Sequence, residues 1–428
     1  MIKVTLNRLE SNIVIYNLSI PFFLRRKYFE YDKMIVGYNF SIQNIPDSIL
    51  VCPIIGYLVP LALATGTKIH VNAVDKTFYK SIMNLRSLFK RLYPALPIDS
   101  FTLIYDKMID NLASNDSRKI GLFFSGGVDS TALLLKHFTD RPLLITIWGS
   151  DVGLHQKDVW SEIVKYVEDL SNKLGLKFAV VAFSSPINIS ILDSVYRLKL
   201  YGNDFWGGLS AGIFIPSLAA PIAYYYQLSQ VYIASGITKK VTRPWSDTYY
   251  VYNNLGFSNC KIVCDDFALT RYEKLESIKE NLQKIKEREV ALKIRSCLKP
   301  AKGKLNCGYC EKCARTILEM ILLELNPNEL GFDVGDLSKY SNWLKVALDQ
   351  GNFKLTPISA EYWSDIKDKC TKNKLLSFLS NYNFTPSKLN KKVFVNDLVV
   401  NMISTFFGFR GILAYERAKS KIMNTIRN

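Results

Sequence analysis

The chain reads as an α/β protein: a parallel sheet with helices on both faces, preceded by an N-terminal α+β accessory domain and followed by a helical C-terminal region. Three observations predict this. From Lys119 onward, short apolar runs alternate with amphipathic stretches, the signature of strands and helices in a parallel sheet. Within that alternation, Ile120-Gly121-Leu122-Phe123-Phe124 is strand-length and runs through Ser125-Gly126-Gly127 into a stretch to about Phe138, with Val128, Ala132 and Leu135 on one helical face. A chain of 428 residues that is 48% hydrophobic and 22% charged has apolar material for two or three domains. Composition shifts put these at 1–115, 116–325 and 326–428.

The first region alternates apolar and polar residues around 13–16, 28–31 and 34–38, which predicts strands of a small sheet. An apolar run at 50–64 predicts a buried helix; a strand follows at 68–74 and a basic helix at 79–92. Residues 111–117 are a polar linker. In the second region, strands are expected at 143–148, 178–183 and 231–234, with helices at 157–174, 209–227 and 269–292. Most charges of the last helix read as a solvated face. The tail predicts helices at 340–348, 362–369 and 398–407, either as a cap on the core or as a docking surface.

Apolar stretches at 49–63 and 209–226 invite a membrane reading. The first is too short and holds Pro53 and Pro60; the second is interrupted by Ser210, Pro216, Ser217 and Pro221. A spanning helix needs about 20 apolar residues, so both read as buried core. Met1-Ile2-Lys3-Val4 does not open a secretory signal. The expectation is a cytoplasmic protein with no membrane partner, whose eight cysteines serve as metal ligands or free thiols. The net charge of +17 suits a polyanion partner, or only solubility and an anionic substrate. Its lysines are scattered without a basic block, so nucleic acid is possible but not favoured.

Chemistry concentrates in two places. In the strand–turn–helix unit, Gly126 and Gly127 let backbone approach a ligand, and the helix aims free amides and its positive dipole end at one point. That suits a phosphate. Ser125, Ser130 and Thr131 add hydroxyls, and Asp129 beside them implies a bridging Mg²⁺. The second place is Cys297, Cys307, Cys310 and Cys313, spaced C-x9-C-x2-C-x2-C. Four thiolates fill a closed tetrahedral Zn²⁺ shell; an iron–sulfur cluster or a redox thiol pair uses the same residues. Gly208-Leu209-Ser210-Ala211-Gly212 matches G-x-S-x-G but is no hydrolase elbow. No strand precedes it, and the three histidines, His70, His137 and His155, all come earlier in the chain.

Ser125-Gly126-Gly127-Val128-Asp129-Ser130 resembles the pyrophosphate loop of the ATP pyrophosphatases, which cleave ATP between its α- and β-phosphates. Together with the cysteine spacing, it resembles 7-cyano-7-deazaguanine synthase and its relatives over about residues 118–325. The resemblance implies an adenine nucleotide alpha hydrolase-like fold, with ATP held by Ser125, Gly126, Gly127, Val128, Asp129, Ser130 and Thr131, and Zn²⁺ held by the four cysteines. It implies adenylation of a 7-carboxy-7-deazaguanine-like acid and attack by ammonia, giving amide and then nitrile. Trp148, Ser235 and Gly236 leave strand ends at the ligand edge, where the family's backbone contacts nucleotide. Lys239 and Lys240 could neutralise pyrophosphate, and Arg243 could fork onto a carboxylate or phosphate; each also reads as a solvated turn. Trp206 and Trp245 could stack a flat ring or serve as core. The synthase's usual substrate segments are absent; 201–204 and 242–247 stand roughly in their places. Enlarged relatives in bacterial antiphage clusters join the activated acid to a protein amine, so a protein acceptor is a second expectation. A tRNA-modifying sulfurtransferase on the same loop, which needs a reactive cysteine, and a non-catalytic nucleotide-binding scaffold are the alternatives.

Overall fold

The computed structural model describes residues 1–111, 119–187, 204–236, 244–286, 290–297, 300, 303–370, 373 and 375–385. Lys239, Lys240, Arg243, the linker from 112, the helix expected at 398–407 and the stretch 201–203 lie outside the described residues.

In chain order the strands are β1 (Ile2–Glu10), β2 (Ile13–Ser19), β3 (Lys33–Tyr38), β4 (Lys68–Asp75), β5 (Thr102–Ile109), β6 (Ile120–Phe123), β7 (Leu143–Trp148), β8 (Phe178–Phe183), β9 (Gln230–Tyr232), β10 (Gly256–Phe257) and β11 (Cys260–Val263). Among the described residues they form one eleven-stranded sheet in the order β10-β11-β9-β6-β7-β8-β3-β2-β1-β4-β5. Six neighbour pairings are parallel and four antiparallel. Strands of residues 1–109 therefore continue the sheet that carries β6, through antiparallel pairing of Val36, Gly37 and Tyr38 with Phe183, Ala182 and Val181.

The main helices are α1 (Phe22–Tyr28), α2 (Cys52–Thr65), α3 (Lys76–Leu92), α4 (Val128–Lys136), α5 (Lys157–Leu174), α6 (Ala211–Ser217), α7 (Ala220–Tyr226), α8 (Arg271–Asn281), α9 (Glu311–Leu322), α10 (Leu337–Asp349) and α11 (Pro357–Lys369). They cover both sheet faces. Phe123, Leu143 and Ile145 point into one core with α2, α3, α6 and α7. Their neighbours Leu122, Phe124 and Leu144 point into a second core with α4, α5, α8, α9, α10 and α11. Successive strand residues face opposite ways, and a strand buried on both faces reads as a continuous apolar run. The two helical stretches apolar enough to cross a membrane, Asp47–Thr65 and Trp206–Tyr226, are 94% and 83% buried inside the fold.

Three local expectations change. The strand expected at 28–31 does not form: Tyr28 closes α1, whose last turn holds Arg25, Arg26 and Lys27, where the dipole favours cations, and Phe29 makes only an isolated bridge to Ile187. The helix expected at 209–227 divides into a π-helical turn at Trp206–Ser210, α6 and α7, with Pro221 in the first turn of α7. The helix expected at 269–292 stops at Asn281, apart from a single turn at Gln283–Lys286.

The parallel core has the spatial order β11-β9-β6-β7-β8, whereas the chain visits β6, β7, β8, β9, β11. The direction of winding reverses between β6 and β9. Ligands of open α/β sheets sit in the crevice beyond the carboxyl ends at such a switch point.

Candidate functional site

The chain leaves β6 through a tightly bound turn. Phe124 N–H donates to Ile145 O at 2.8 Å, and Thr146 Oγ1 donates to Phe124 O at 2.9 Å. Gly126 has φ +73°, and a Cβ there would sit 3.2 Å from the Tyr166 ring. The left-handed conformation and the ring both favour glycine. Gly127 then caps α4; its own N–H donates to Ser125 Oγ at 3.4 Å, but among the described residues no side chain caps the helix, so the leading amides of α4 remain open to a ligand. Ser125 N–H donates to Ser130 Oγ at 3.3 Å, and Ser130 Oγ donates to Gly127 O at 3.2 Å, folding that hydroxyl back onto the turn. Thr131 Oγ1 is buried without a hydrogen-bond partner.

A cavity of about 370 Å³ opens at the switch point. Of the residues singled out from sequence, Ser125, Gly127, Val128, Asp129, Ser130, Gly236 and Trp206 line it. Gly126, Thr131, Trp148, Ser235 and Trp245 do not. Trp148 instead stacks on Trp160, with ring centroids 5.2 Å apart, and Trp160 lines the cavity. The rest of the 148–151 edge is represented by Ser150 and Asp151. The Trp245 ring covers Gly207.

Asp129 gives one oxygen to Lys274 Nζ (3.0 Å) and the other to Arg271 (3.2 Å). Burial works to raise its pKa, but Lys274 and Arg271 prevail and hold it at about 2. Lys274 is only 1% exposed; its ammonium also meets Asp266 at 2.7 Å and Ser235 O at 2.8 Å. Arg271 donates to Ser296 Oγ (3.1 Å) and Thr316 Oγ1 (3.0 Å), and its Nε lies 3.4 Å from the Glu319 carboxylate. Burial pushes Glu319 up to about 7 against the pull of Arg271 and Arg315. The lining also includes the apolar side chains of Trp206, Ala211, Ile215 and Ile233, and the carboxyl of Asp247. Asp247 accepts from Tyr252 Oη and from Gly236 N–H (3.2 Å). Burial raises it to about 6, although both hydrogen bonds oppose this.

Behind the turn lies the cysteine centre. The sulfurs of Cys297, Cys307, Cys310 and Cys313 are all within 4.8 Å of one another. Cys307–Cys313 is 3.8 Å and Cys297–Cys310 is 3.9 Å. A tetrahedron of metal–sulfur bonds about 2.3 Å long has edges of about 3.8 Å, and a disulfide would need about 2.05 Å. These four sulfurs could hold a metal ion such as zinc. Gly308 turns the loop with φ +82°, Cys310 N–H donates to Cys307 Sγ at 3.3 Å, and Tyr340 Oη donates to Gly308 O at 2.8 Å. Asn306 Oδ1 accepts from the amides of Ser296 and Cys297, fixing the approach of the first ligand.

Sequence reasoning missed Arg271, Lys274, Arg295 and Lys312, all placed in or beneath the cavity wall, and reached Asp247 only as the end of the stretch 242–247. A signal for two of them existed. Thr270 and Glu273 form a capping box that starts α8, so Arg271 and Lys274, three apart, share a helix face. The tail also reaches the site: Tyr362 Oη donates to Gly236 O at 3.1 Å, and its ring lies 4.5 Å from the Arg315 guanidinium.

No protein-family model, curated protein or solved structure matches the chain.

Proposed function

We propose that the protein is an ATP- and Mg²⁺-dependent ligase. It adenylates an organic carboxylate with release of pyrophosphate, then passes the acyl group to a nitrogen nucleophile. One observation carries this reading: an uncapped helix end behind a Ser-Gly-Gly turn opens into a cavity at the sheet's switch point. Open amides and cationic side chains there suit the β- and γ-phosphates of a nucleotide. Apolar lining residues that include Trp206 suit a flat ring acid, of which a 7-carboxy-7-deazaguanine-like molecule is the proposed example.

In the first step the substrate carboxylate attacks the α-phosphorus, and the bond to the bridging oxygen breaks toward pyrophosphate. In the second, the amine attacks the acyl carbon, AMP departs with the electron pair, and the nitrogen loses a proton. The chain's part is positioning: the turn amides and Ser125 hold the departing phosphates, and no side-chain nucleophile is used. Mg²⁺ would supply charge neutralisation between phosphate oxygens. Both Asp129 oxygens face Lys274 and Arg271, whereas Asp151, 56% exposed, lines the cavity with only a long 3.7 Å contact to Arg295 and is a carboxylate such an ion could meet. Zinc in the cysteine centre would be structural, since four sulfurs leave no open position. Free cysteines and an ATP requirement fit a cytoplasmic setting.

The sulfurtransferase alternative has less support, because no cysteine lines the cavity among the described residues. The test is to incubate the protein with MgATP and candidate ring acids, with ammonia or a protein amine, and follow AMP and pyrophosphate. Formation of ADP would refute the reading. ATP binding with no turnover across acids would favour a scaffold. Asp129→Ala is expected to abolish turnover.

A further inference from the structure

The cysteine centre and the phosphate turn are joined through two cationic residues that neither motif contains. Arg295 lies two residues before Cys297, and Lys312 lies between Cys310 and Cys313. Arg295 is bound to the turn itself. Its backbone N–H donates to Gly126 O at 2.7 Å, and its Nε donates to Ser125 O at 3.1 Å. Its side chain is 8% exposed and lines the cavity, yet the buried Nη1 has no hydrogen-bond partner. Its one ion pair is a long contact to Asp151, at 3.7 Å. A buried guanidinium nitrogen left unpaired is costly, and a group of that kind facing a cavity marks the place of an acceptor. Lys312 lines the same cavity from the first turn of α9, and its ammonium has no ion-pair or hydrogen-bond partner among the described residues. Arg271, Arg315 and Arg295 are nearby cations, and Asp151 and Asp129 are nearby anions. Open donors thus converge on the uncapped end of α4 from the segment that carries the cysteines.

We propose that Arg295 and Lys312 are ligands for a phosphoanion in the cavity, and that the metal of the cysteine centre sets their position, so that metal and phosphoanion bind with positive coupling. This rests on the phosphate reading of the cavity made above. The physical route is short. With the sulfurs drawn to one ion, the segment 295–297 and the first turn of α9 are held together, and both donors face the turn. With the sulfurs free, that segment loses its anchor, and the donors and the Gly126 carbonyl contact loosen together. Linkage then works in both directions by the same factor.

The experiment uses the full-length, metal-loaded protein and sodium pyrophosphate. Calorimetry first measures pyrophosphate binding. Transfer of metal to a chromogenic chelator is then timed with and without saturating pyrophosphate. Pyrophosphate should slow transfer about fivefold or more. Free pyrophosphate also binds divalent metal and could withhold released ion from the chelator, so a control with free metal, pyrophosphate and chelator sets the chelator excess at which capture is complete. Lys312→Met, loaded to the same metal content, should lose most of the slowing, whereas Lys312→Arg should keep it. If pyrophosphate binds but leaves the transfer rate unchanged, the coupling is wrong while the ligase reading stands. If pyrophosphate does not bind the loaded protein, both are overturned. If Lys312→Met keeps the full slowing, or Lys312→Arg loses it, Lys312 is not an anion ligand by virtue of its charge.

Discussion

Lys274→Met tests the electrostatic frame of the site most directly. The substitution keeps the stem's volume and removes one ammonium that is 1% exposed and touches Asp129, Asp266 and Ser235 O. Removing one partner of a buried ion pair costs about 3–5 kcal/mol, because the charge left behind is uncompensated. Here Asp266, 4% exposed, would be that charge. The loss is a large share of a typical total of about 5–15 kcal/mol, and urea denaturation at pH 7 would read it. A pH series adds a signature specific to Asp129. Its pKa lies near 2, below the ordinary carboxylate value. The stability it contributes is therefore present above about pH 4 and lost as pH falls through about 2. Without Lys274 the carboxyl moves up, and the acid limb of the stability profile moves with it. Adding Asp266→Asn should recover part of the loss, since the pair shares one partner. A destabilisation under about 1 kcal/mol, with an unmoved acid limb, would refute the claim that this lysine balances both carboxylates.

Three further outcomes follow from the geometry. Asp247 has its pKa raised to about 6, so the stability tied to its neutral form is present below about pH 4 and lost as pH rises through about 6, a swing of ~2–3 kcal/mol; Asp247→Asn should flatten that slope in denaturation curves taken from pH 4 to 7. Gly126→Ala must hold φ +73° with a Cβ 3.2 Å from Tyr166, a cost of about 1–2 kcal/mol; thermal melts would measure it, and pyrophosphate affinity should fall as well, unless the turn is not left-handed. Cys307→Ser should reduce bound metal from about one ion per chain to none by native mass spectrometry; full retention would mean that the four sulfurs do not share one ion.

What could be read from the residues was the local part. Ile120–Phe123 was legible because four buried residues lead into a double glycine, and the cysteine centre was legible because three of its ligands lie within seven residues. The ion pairs were not. Asp129 and Lys274 are 145 residues apart, and no periodicity reports which buried carboxylate a helical lysine will meet. Burial of Lys274 even runs against its residue type, so it read as part of a solvated face, as Glu273, Glu276, Lys279 and Glu280 of the same helix are. The alternation in β2 and β3 was visible, but that β3 meets β8 was not, because pairing partners depend on topology rather than on the strand's own pattern. The expected strand at 28–31 misled because an alternating aromatic run fits a strand, whereas the helix that starts behind Pro21 runs on to Tyr28.

On the ligase reading proposed above, the ties around the turn would let the site work by position alone. Lys274 holds the β6 side of the crevice through Asp129 and the β9 side through Ser235 O, so one ammonium spans the two strands between which the winding reverses. Arg295 holds the third side, from the cysteine segment to Ser125 O and Gly126 O. Tyr362 holds the fourth, from the C-terminal helix to Gly236 O. Each contact occupies a backbone carbonyl or a carboxylate, so that acceptor's lone pairs are already bound. The donors that line the cavity beside the helix amides are the unpaired Arg295 Nη1 and the Lys312 ammonium, with the exposed carboxylate of Asp151 among them. Donors fixed in this way need no reorganisation when charge develops on a leaving phosphate, which is the condition under which electrostatic stabilisation is largest. The same carbonyls are the points at which four separate parts of the chain converge, so the anion site and the packing that supports it are one structure.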